Sequence, residues 1–264
     1  MQMVAASRMR RAQQQVLAAR PYAEAIRTML GELAQQRTDP LTVHPLMRVR
    51  PERRAAFIVL TSDRGLAGTL NGNVLRRASE EILARSADPE LVTIGRKGQD
   101  FFTRRARRLA ATFTGMGDRA TYNDIIPVAR VVIDAYSNES IDAVYLVYPE
   151  FVSTLNQRPK VARLLPVVEM AEHGTKLDFI IEPNAEEIMA ALLPRYVEML
   201  IYHALLETTA SEHSARMVSM RNATENANDL VDALTLTYNK ARQSAITKEI
   251  AEISSAAEAL AATG

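Results

Sequence analysis

One uninterrupted stretch of the sequence decides the fold. Residues 195–263 read RYVEMLIYHALLETTASEHSARMVSMRNATENANDLVDALTLTYNKARQSAITKEIAEISSAAEALAAT and contain neither glycine nor proline. Glycine and proline interrupt helices more reliably than other residues, so their absence over this length predicts one continuous helix. At about 1.5 Å per residue the helix would be roughly 100 Å long. A globular domain cannot enclose a helix of that length.

The predicted helix carries a single apolar stripe. Alternate steps of three and four residues from Met189 land on Leu192, Tyr196, Met199, His203, Leu206, Ala210, His213, Met217, Met220, Thr224, Ala227, Val231, Leu234, Tyr238, Ala241 and Ala245. Only the two histidines and the threonine are not apolar. A stripe with this spacing over many heptads is typical of a coiled coil. We therefore expect it to be buried along its length, so that Leu234→Asp would cost several kcal/mol by placing an unpaired charge in an interface.

The start of the chain supplies a second stripe with the same spacing. Its members are Ala12, Val16, Ala19, Ala23, Ile26, Leu30 and Leu33. The two ends of the chain are therefore predicted to pair as an antiparallel coiled coil. Small side chains dominate the beginning of this stripe, so the pairing there would bury little apolar surface. Pro21 lies within the stripe and predicts a bend.

Between the two ends the apolar period becomes that of β-strands. Strand-like runs occupy residues 57–61, 91–94, 109–114, 143–148 and 161–168. Helical stretches alternate with them at residues 73–85, 97–105 and 123–137. This alternation predicts a mainly parallel sheet with helices on both faces. The predicted fold class is α/β: a Rossmann-like α/β domain over 51–184 is inserted between coiled-coil helices at 1–50 and 185–264.

Composition narrows the possible functions. The 264 residues are 47% hydrophobic and 24% charged, which is typical of a folded protein, and the formal net charge of +1 gives little reason to expect nucleic acid. The absence of cysteine excludes disulfides and thiolate metal sites, and the four histidines lack ligand spacing, so no metal or other cofactor is expected. No stretch approaches the roughly 18 to 20 apolar residues of a membrane span, so any membrane association is expected to be peripheral.

Two local motifs have both a functional and a structural interpretation. The sequence TSDRGLAG, residues 61–68, follows the first strand and precedes a helix, where a phosphate-binding loop would lie. It lacks the third glycine of G-x-G-x-x-G and any Gly-Lys-Ser/Thr, so a structural turn in which Asp63 and Arg64 pair locally is favoured. The second motif is the basic cluster of Arg104, Arg105, Arg107 and Arg108. It lacks the interleaved aromatic residues of a nucleic-acid platform and favours a solvated or acid-paired face.

Several stretches resemble one family, the gamma subunit of F-type ATP synthases. They are MVAASRMRRA (3–12), RPYAE (20–24), TSDRGLAG (61–68), NGN (71–73), SEHSARM (211–217), MRNATEN (220–226) and YNKARQSAITKEI (238–250). The resemblance covers nearly the whole chain. It implies a non-catalytic rotor whose terminal helices turn inside a ring of alternating alpha and beta subunits. The α/β domain would be a foot that rests, with subunit epsilon, on the membrane ring of subunit c. The complex would lie at the cytoplasmic face of the bacterial cell membrane and couple proton flow to ATP synthesis or hydrolysis.

The resemblance also implies which residues contact partners. The beta subunit would be contacted by Arg242 and Gln243, with Thr247 and Glu249 nearby, and its acidic lever segment would lie near Met1 and Arg8. The subunit c ring would face Phe179 and Glu182. The chain begins inside the first motif, which suggests a truncated or misassigned start. Ala67 replaces a cysteine common in the family, and the sequence lacks the cysteine-bearing insertion of the chloroplast type, so a bacterial source is favoured. Two alternatives remain: a nucleotide-dependent enzyme built on the central domain, and a free-standing coiled-coil adaptor.

Overall fold

The computed structural model describes residues 1–35, 44–85, 88–105, 107–117, 120–168 and 184–261. Its helices are α1 (Gln2–Gln35), α2 (Leu70–Arg85), α3 (Arg96–Arg104), α4 (Tyr122–Ser137) and α5 (Ala185–Ala261). Its strands are β1 (Ala55–Leu60), β2 (Glu90–Ile94), β3 (Leu109–Phe113), β4 (Ala143–Phe151) and β5 (Gln157–Leu165). The chain divides into two compact units, Met1–Ser219 and Met220–Gly264.

The five strands form one sheet in the order β3-β2-β1-β4-β5. The pairings β1–β2, β1–β4 and β2–β3 are parallel, whereas β4 and β5 form an antiparallel hairpin. All six residues of β1 are buried, because β1 lies in the middle of the sheet with helices above and below it. The prediction of a mainly parallel sheet is therefore confirmed.

The two faces of the sheet support separate apolar cores. One core joins alternate strand residues such as Ile58 and Leu146 to α4, to the end of α1 and to the first third of α5. The other core joins the intervening residues, such as Phe57 and Val147, to α2 and to Phe102 of α3. Successive side chains of a strand point to opposite faces, which is why neighbouring residues of β1 belong to different cores. Helices therefore cover both faces, as predicted.

Most predicted elements of this domain are present with shifted ends. The three helices begin one to three residues before the predicted positions. The last strand differs most, since it was predicted at 161–168 but runs over Gln157–Leu165. Its first half is an edge strand in which Arg158 and Lys160 are exposed, so it lacks the apolar run that identifies a central strand.

Helix α1 packs on α5 within the first compact unit. Ala12 and Val16 form a small buried cluster with Leu206 and Ala210. The two helices run in opposite directions there. Arg8 shares a cavity with Arg216, whereas Gln15 and Tyr22, further along α1, share another with Arg195 and Tyr202, which lie earlier on α5. Helix α1 continues through Pro21 to Gln35, and the bend remains a prediction.

The apolar stripe of α5 is buried over only its first part, which corrects the expectation of a stripe buried along its length. Most stripe residues from Met189 to His213 are buried, and the rest are half-buried. Every residue from Arg221 to Ala257 is exposed, and Leu234 retains 59% of its accessible surface. The 34 residues of α1 can accompany only part of a helix of 77 residues. The periodicity therefore predicted the helix correctly but not what covers it.

The length and composition of α5 also meet the requirements of a membrane span. Over Glu186–Ala257 it contains an 18-residue window of hydropathy 1.2, of which 44% is buried. This window corrects the expectation that no stretch approaches the apolar length of a membrane span. The core helix of a soluble protein passes the same test, and the first part of α5 packs in the core on the sheet, so the window is weak evidence for a span.

Candidate partner-binding surfaces

The second compact unit presents a row of large apolar side chains to solvent. They are Leu230, Val231, Leu234, Leu236, Tyr238, Ile246, Ile250 and Ile253, each between 45% and 66% exposed. Exposed apolar patches of this kind mark surfaces that bind other proteins. This part of α5 is therefore the strongest candidate for a partner-binding surface.

Exposed polar side chains lie on the same segment. The four residues expected to contact the beta subunit are Arg242, Gln243, Thr247 and Glu249, and all are exposed on α5. Among the described residues, Arg242 and Glu249 make no ion pair, whereas Arg221 pairs with Glu225 at 3.0 Å and Lys248 with Glu252 at 3.7 Å. Spacing explains the difference, since no opposite charge lies three or four residues from Arg242 or Glu249. Both charges can therefore bind a partner without breaking an ion pair.

The N-terminal candidates lie at the start of α1. Met1 is 79% exposed. Arg8 is exposed and lines a cavity of about 350 Å³ together with the loop after β1, Arg96 and Arg216. The candidates for the subunit c ring, Phe179 and Glu182, lie outside the described residues.

The TSDRGLAG loop lies at the carboxyl ends of the parallel strands, where α/β proteins commonly bind nucleotides. The carboxylate of Asp63 accepts hydrogen bonds from the backbone N–H groups of Arg96 and Gly115, both at 3.0 Å. Arg96 is the first residue of α3, so Asp63 already occupies a backbone donor that would face a phosphate. The expected pairing of Asp63 with Arg64 is wrong, because the carboxylate bonds to the loops after β2 and β3. The structural interpretation of this loop is favoured.

The loop is fixed by further bonds to its neighbours. The Thr61 hydroxyl oxygen accepts from the N–H of Gly98 at 2.9 Å, and the side chain of Asn71 exchanges two hydrogen bonds with Ser62. A Cβ at Gly95 would lie 2.0 Å from the carbonyl oxygen of Thr61 at a φ of +99°. Only glycine fits there, so the close approach of the loops after β1 and β2 depends on it.

The basic cluster makes local contacts. Arg104 donates to the carbonyl of Asp100 at 2.9 Å, and the guanidinium of Arg105 lies 3.6 Å from the centre of the Phe101 ring. Arg107 and Arg108 are exposed. One of the few nearby aromatic rings is thus covered by the arginine that directly follows its helix, which favours a solvated face over a nucleic-acid platform.

The histidines are placed separately. His44 accepts from the backbone of Leu46, His203 lies 3.4 Å from Glu207, and His213 is buried on α5. Within the described ranges, no group of three or more histidine, aspartate or glutamate side chains could hold a metal ion. The fourth histidine, His173, lies outside them.

Sequence reasoning missed the contacts that hold α5 beyond its apolar core. Ser211 donates to the carbonyl of Pro149 at 3.0 Å, and Ser214 donates to that of Thr154 at 2.6 Å. Arg216 donates to the carbonyl of Gly65 at 3.2 Å. All three residues belong to SEHSARM, so the motif marked the segment, but its spacing does not reveal the backbone partners.

The α/β domain packs on the first part of a long helix. The last part of that helix exposes apolar side chains and two charges that make no ion pair among the described residues. These features define a class of protein: a subunit whose surface is completed by other chains. Comparisons with known proteins identify the family. The chain matches the family named ATP synthase over residues 1–260. It is 47% identical over 262 residues to the ATP synthase gamma chain of Pelotomaculum thermopropionicum, covering 98% of this chain and 92% of that one. It is 49% identical over 266 residues to that of Roseiflexus castenholzii, covering 99% and 91%.

Solved structures share the fold. A central stalk and c-ring structure of Tetrahymena thermophila mitochondrial ATP synthase aligns with a TM-score of 0.64 at 22% identity, covering 85% of this chain and 97% of that one. A Euglena gracilis mitochondrial ATP synthase structure of OSCP, F1 and c-ring aligns with a TM-score of 0.62 at 18% identity, covering 96% and 94%. The chain belongs to the family of ATP synthase gamma chains, the non-catalytic rotor subunits of the central stalk. The family resemblance of its motifs is confirmed.

Proposed function

We propose that this chain transmits torque between a membrane ring of subunit c and a catalytic ring of alpha and beta subunits. The exposed segment of α5 carries the proposal, because its apolar row fits a helix enclosed by other subunits, as do the charges of Arg242 and Glu249, which make no ion pair among the described residues. The α/β foot, residues 51–184, contacts subunit epsilon and the c ring, the latter through Phe179 and Glu182. The complex acts at the cytoplasmic face of a bacterial cell membrane, with this chain peripheral to the bilayer and coupled to proton flow.

The helices at 1–50 and 185–264 form the shaft as an antiparallel coiled coil. The opposite directions of α1 and α5 and their shared cluster around Val16 and Leu206 support this arrangement. The shaft acts by contact and not by chemistry. It changes the nucleotide affinity of each beta subunit only to the extent that its contacts differ between beta conformations. Met1 and Arg8 meet the acidic lever segment of beta, where a cation adds charge complementarity.

Arg242 and Gln243 act as a grip on a loop of beta, with Thr247 and Glu249 beside them. A guanidinium presents a planar fork of donors, and an amide both donates and accepts, so the pair can hold a polar loop at one rotor angle. Charge-assisted bonds at a partly desolvated contact contribute roughly 1.5 to 3 kcal/mol each. The exposure of Arg242 and the absence of an ion pair to it among the described residues support a role outside the fold of the isolated chain.

The test compares two variants that each remove an exposed arginine from α5. Arg242→Ala combined with Gln243→Ala should leave the melting of the isolated chain nearly unchanged, yet lower assembly with alpha and beta or the ATPase turnover of the complex. Arg221→Ala is the control, because Arg221 already pairs with Glu225 on its own helix. Normal assembly and turnover of the double variant would reject the grip. Failure of the parent chain to co-purify with alpha and beta would reject the rotor function itself.

A nucleotide-dependent enzyme is the weaker alternative. The donor at the start of α3 is taken by Asp63, and TSDRGLAG lacks the glycines and lysine of a phosphate loop. We expect titration calorimetry of the isolated chain with ATP to give no stoichiometric binding near micromolar affinity. Such binding would favour the enzyme.

A further inference from the structure

Two family motifs that the rotor function leaves unexplained meet in space. SEHSARM continues into Ser219 on α5, and TSDRGLAG forms the loop after β1. Arg216 donates to the carbonyl of Gly65 at 3.2 Å, and a Cβ on Gly68 would lie 3.2 Å from the hydroxyl oxygen of Ser219. One turn earlier, Ser211 and Ser214 bond to the β4–β5 hairpin. We name residues 211–219 of α5, with the loop and the hairpin that hold them, the collar.

The loop and the hairpin of the collar contact α5 from two sides. At about 100° per residue, the serine pair and the pair formed by Arg216 and Ser219 are centred roughly 140° apart around the helix axis. A contact on one side alone would act as a hinge, but two contacts so far apart oppose rotation of the helix about its own axis. Apolar packing is non-directional, whereas hydrogen bonds depend on angle.

Both sides of the collar are well supported. Ser211 and Ser214 are fully buried, and their small side chains let α5 approach the hairpin closely. Arg216 is oriented by an ion pair with Glu212 at 2.5 Å, in which each side chain is 14% exposed. The loop that Arg216 contacts is fixed by the two bonds of Asp63. From Arg221 onward every residue to Ala257 is exposed, so the collar is the last buried contact that α5 makes in the first compact unit.

We propose that the collar makes the foot and α5 rotate together, with Ser211 and Ser214 as positioning residues for torque transmission. This inference rests on the proposed rotor function. Loss of the collar bonds lets α5 twist further relative to the sheet under the same torque, so the foot follows each step at the catalytic ring less stiffly. Catalysis in the beta subunits continues and the elastic twist is recovered within each step, so the angular scatter of the foot rises while the number of protons moved per ATP stays the same.

The experiment uses the chain assembled with the remaining subunits of its own organism in membranes. The collar variant combines Ser211→Ala with Ser214→Ala, which removes both hydroxyls with little change in volume. Ser79→Ala is the matched control, since among the described residues its hydroxyl bonds only to the carbonyl of Leu75 on its own helix. The chain has no cysteine, so Leu83→Cys, at a residue 72% exposed on α2, provides a single attachment point on the foot for a rotation probe.

ATPase turnover and pumping report whether the variant folds and couples, and the angular variance of the foot probe reports the stiffness of the collar. We expect turnover and protons pumped per ATP near the parent values, with the angular variance raised by roughly two-fold, because each lost bond weakens the contact. The control should match the parent in every readout. Unchanged angular variance in an assembled collar variant would overturn the collar. If the double variant does not assemble, each single serine variant is measured instead, and parent-like angular variance in both singles would also overturn it. Failure of the parent chain to assemble would reject the rotor function and not the collar.

Discussion

Asp63→Ala tests whether one carboxylate joins three loops. Its two oxygens accept from the N–H groups of Arg96 and Gly115, which follow β2 and β3, while Asp63 itself follows β1. Removal of the carboxylate leaves both N–H groups without their acceptor. We expect the edge of the sheet to loosen where these loops meet.

The distances and exposure set the size of the effect. Both bonds are 3.0 Å long, and bonds to charged groups contribute roughly 1.5 to 3 kcal/mol each when well shielded. Asp63 is only half-buried, so water can replace part of each bond. We expect a total loss of about 2 kcal/mol, which lowers the melting temperature of a unit this size by roughly 4 to 8 °C.

The assay must report on the α/β domain, because α5 dominates the helical signal. The chain has no tryptophan and eight tyrosines, so near-ultraviolet circular dichroism of tyrosine can follow the melt. Hydrogen exchange of the Arg96 and Gly115 amides reports the lost bonds directly. Asp100→Ala on α3 is the control, since Asp100 is exposed. Equal melting temperatures and equal amide exchange in the two variants would refute the conclusion that Asp63 joins the three loops.

Four further predictions follow from the structure. Gly95→Ala should prevent folding, because its Cβ would lie 2.0 Å from a carbonyl oxygen, whereas Gly72→Ala, with no atom within 4 Å, should raise the unfolding free energy in urea by about 0.4–1 kcal/mol. Burial alone would raise the pKa of Asp142, but the backbone N–H bonds from Arg54 and Arg53, together with the positive charges of Arg54 and Arg50, outweigh it and hold that pKa below its usual value. Its stabilisation should therefore be lost as pH falls below about 4, and Asp142→Asn should flatten the acid side of the stability curve. Burial raises the pKa of Tyr148 to about 12; stability should fall between about pH 10 and 12, and Tyr148→Phe should lessen the fall by up to about 1.4 kcal/mol per pH unit. Leu234→Asp should change the unfolding free energy of the isolated chain by less than about 0.5 kcal/mol, because Leu234 is exposed. A loss of several kcal/mol would instead indicate that the stripe is buried at Leu234.

The central strands could be predicted from sequence because their burial leaves a direct signal. The run AAFIVL at Ala55–Leu60 is apolar at every position, as a strand covered on both faces requires. The edge strand gave no such signal where Arg158 and Lys160 alternate with half-buried residues. Its beginning was missed for that reason.

Contacts between distant parts of the chain could not be predicted. Asp63 bonds to a residue 52 positions away, and spacing along one loop carries no information about the loop it meets. The stripe on α5 gave a related difficulty, since periodicity identifies an apolar face but not its partner. Leu206 and Leu234 occupy equivalent positions on the stripe, yet only Leu206 is buried within this chain.

The exposed apolar row on the second compact unit has a consequence for the supply of the subunit. A copy without partners presents eight large apolar side chains to the surrounding proteins, and such surfaces promote self-association and attract chaperones and proteases. A partner that encloses the row removes this liability by mass action. We therefore expect surplus copies to be cleared, so that the amount of this chain in a cell follows the number of completed assemblies and not its rate of synthesis.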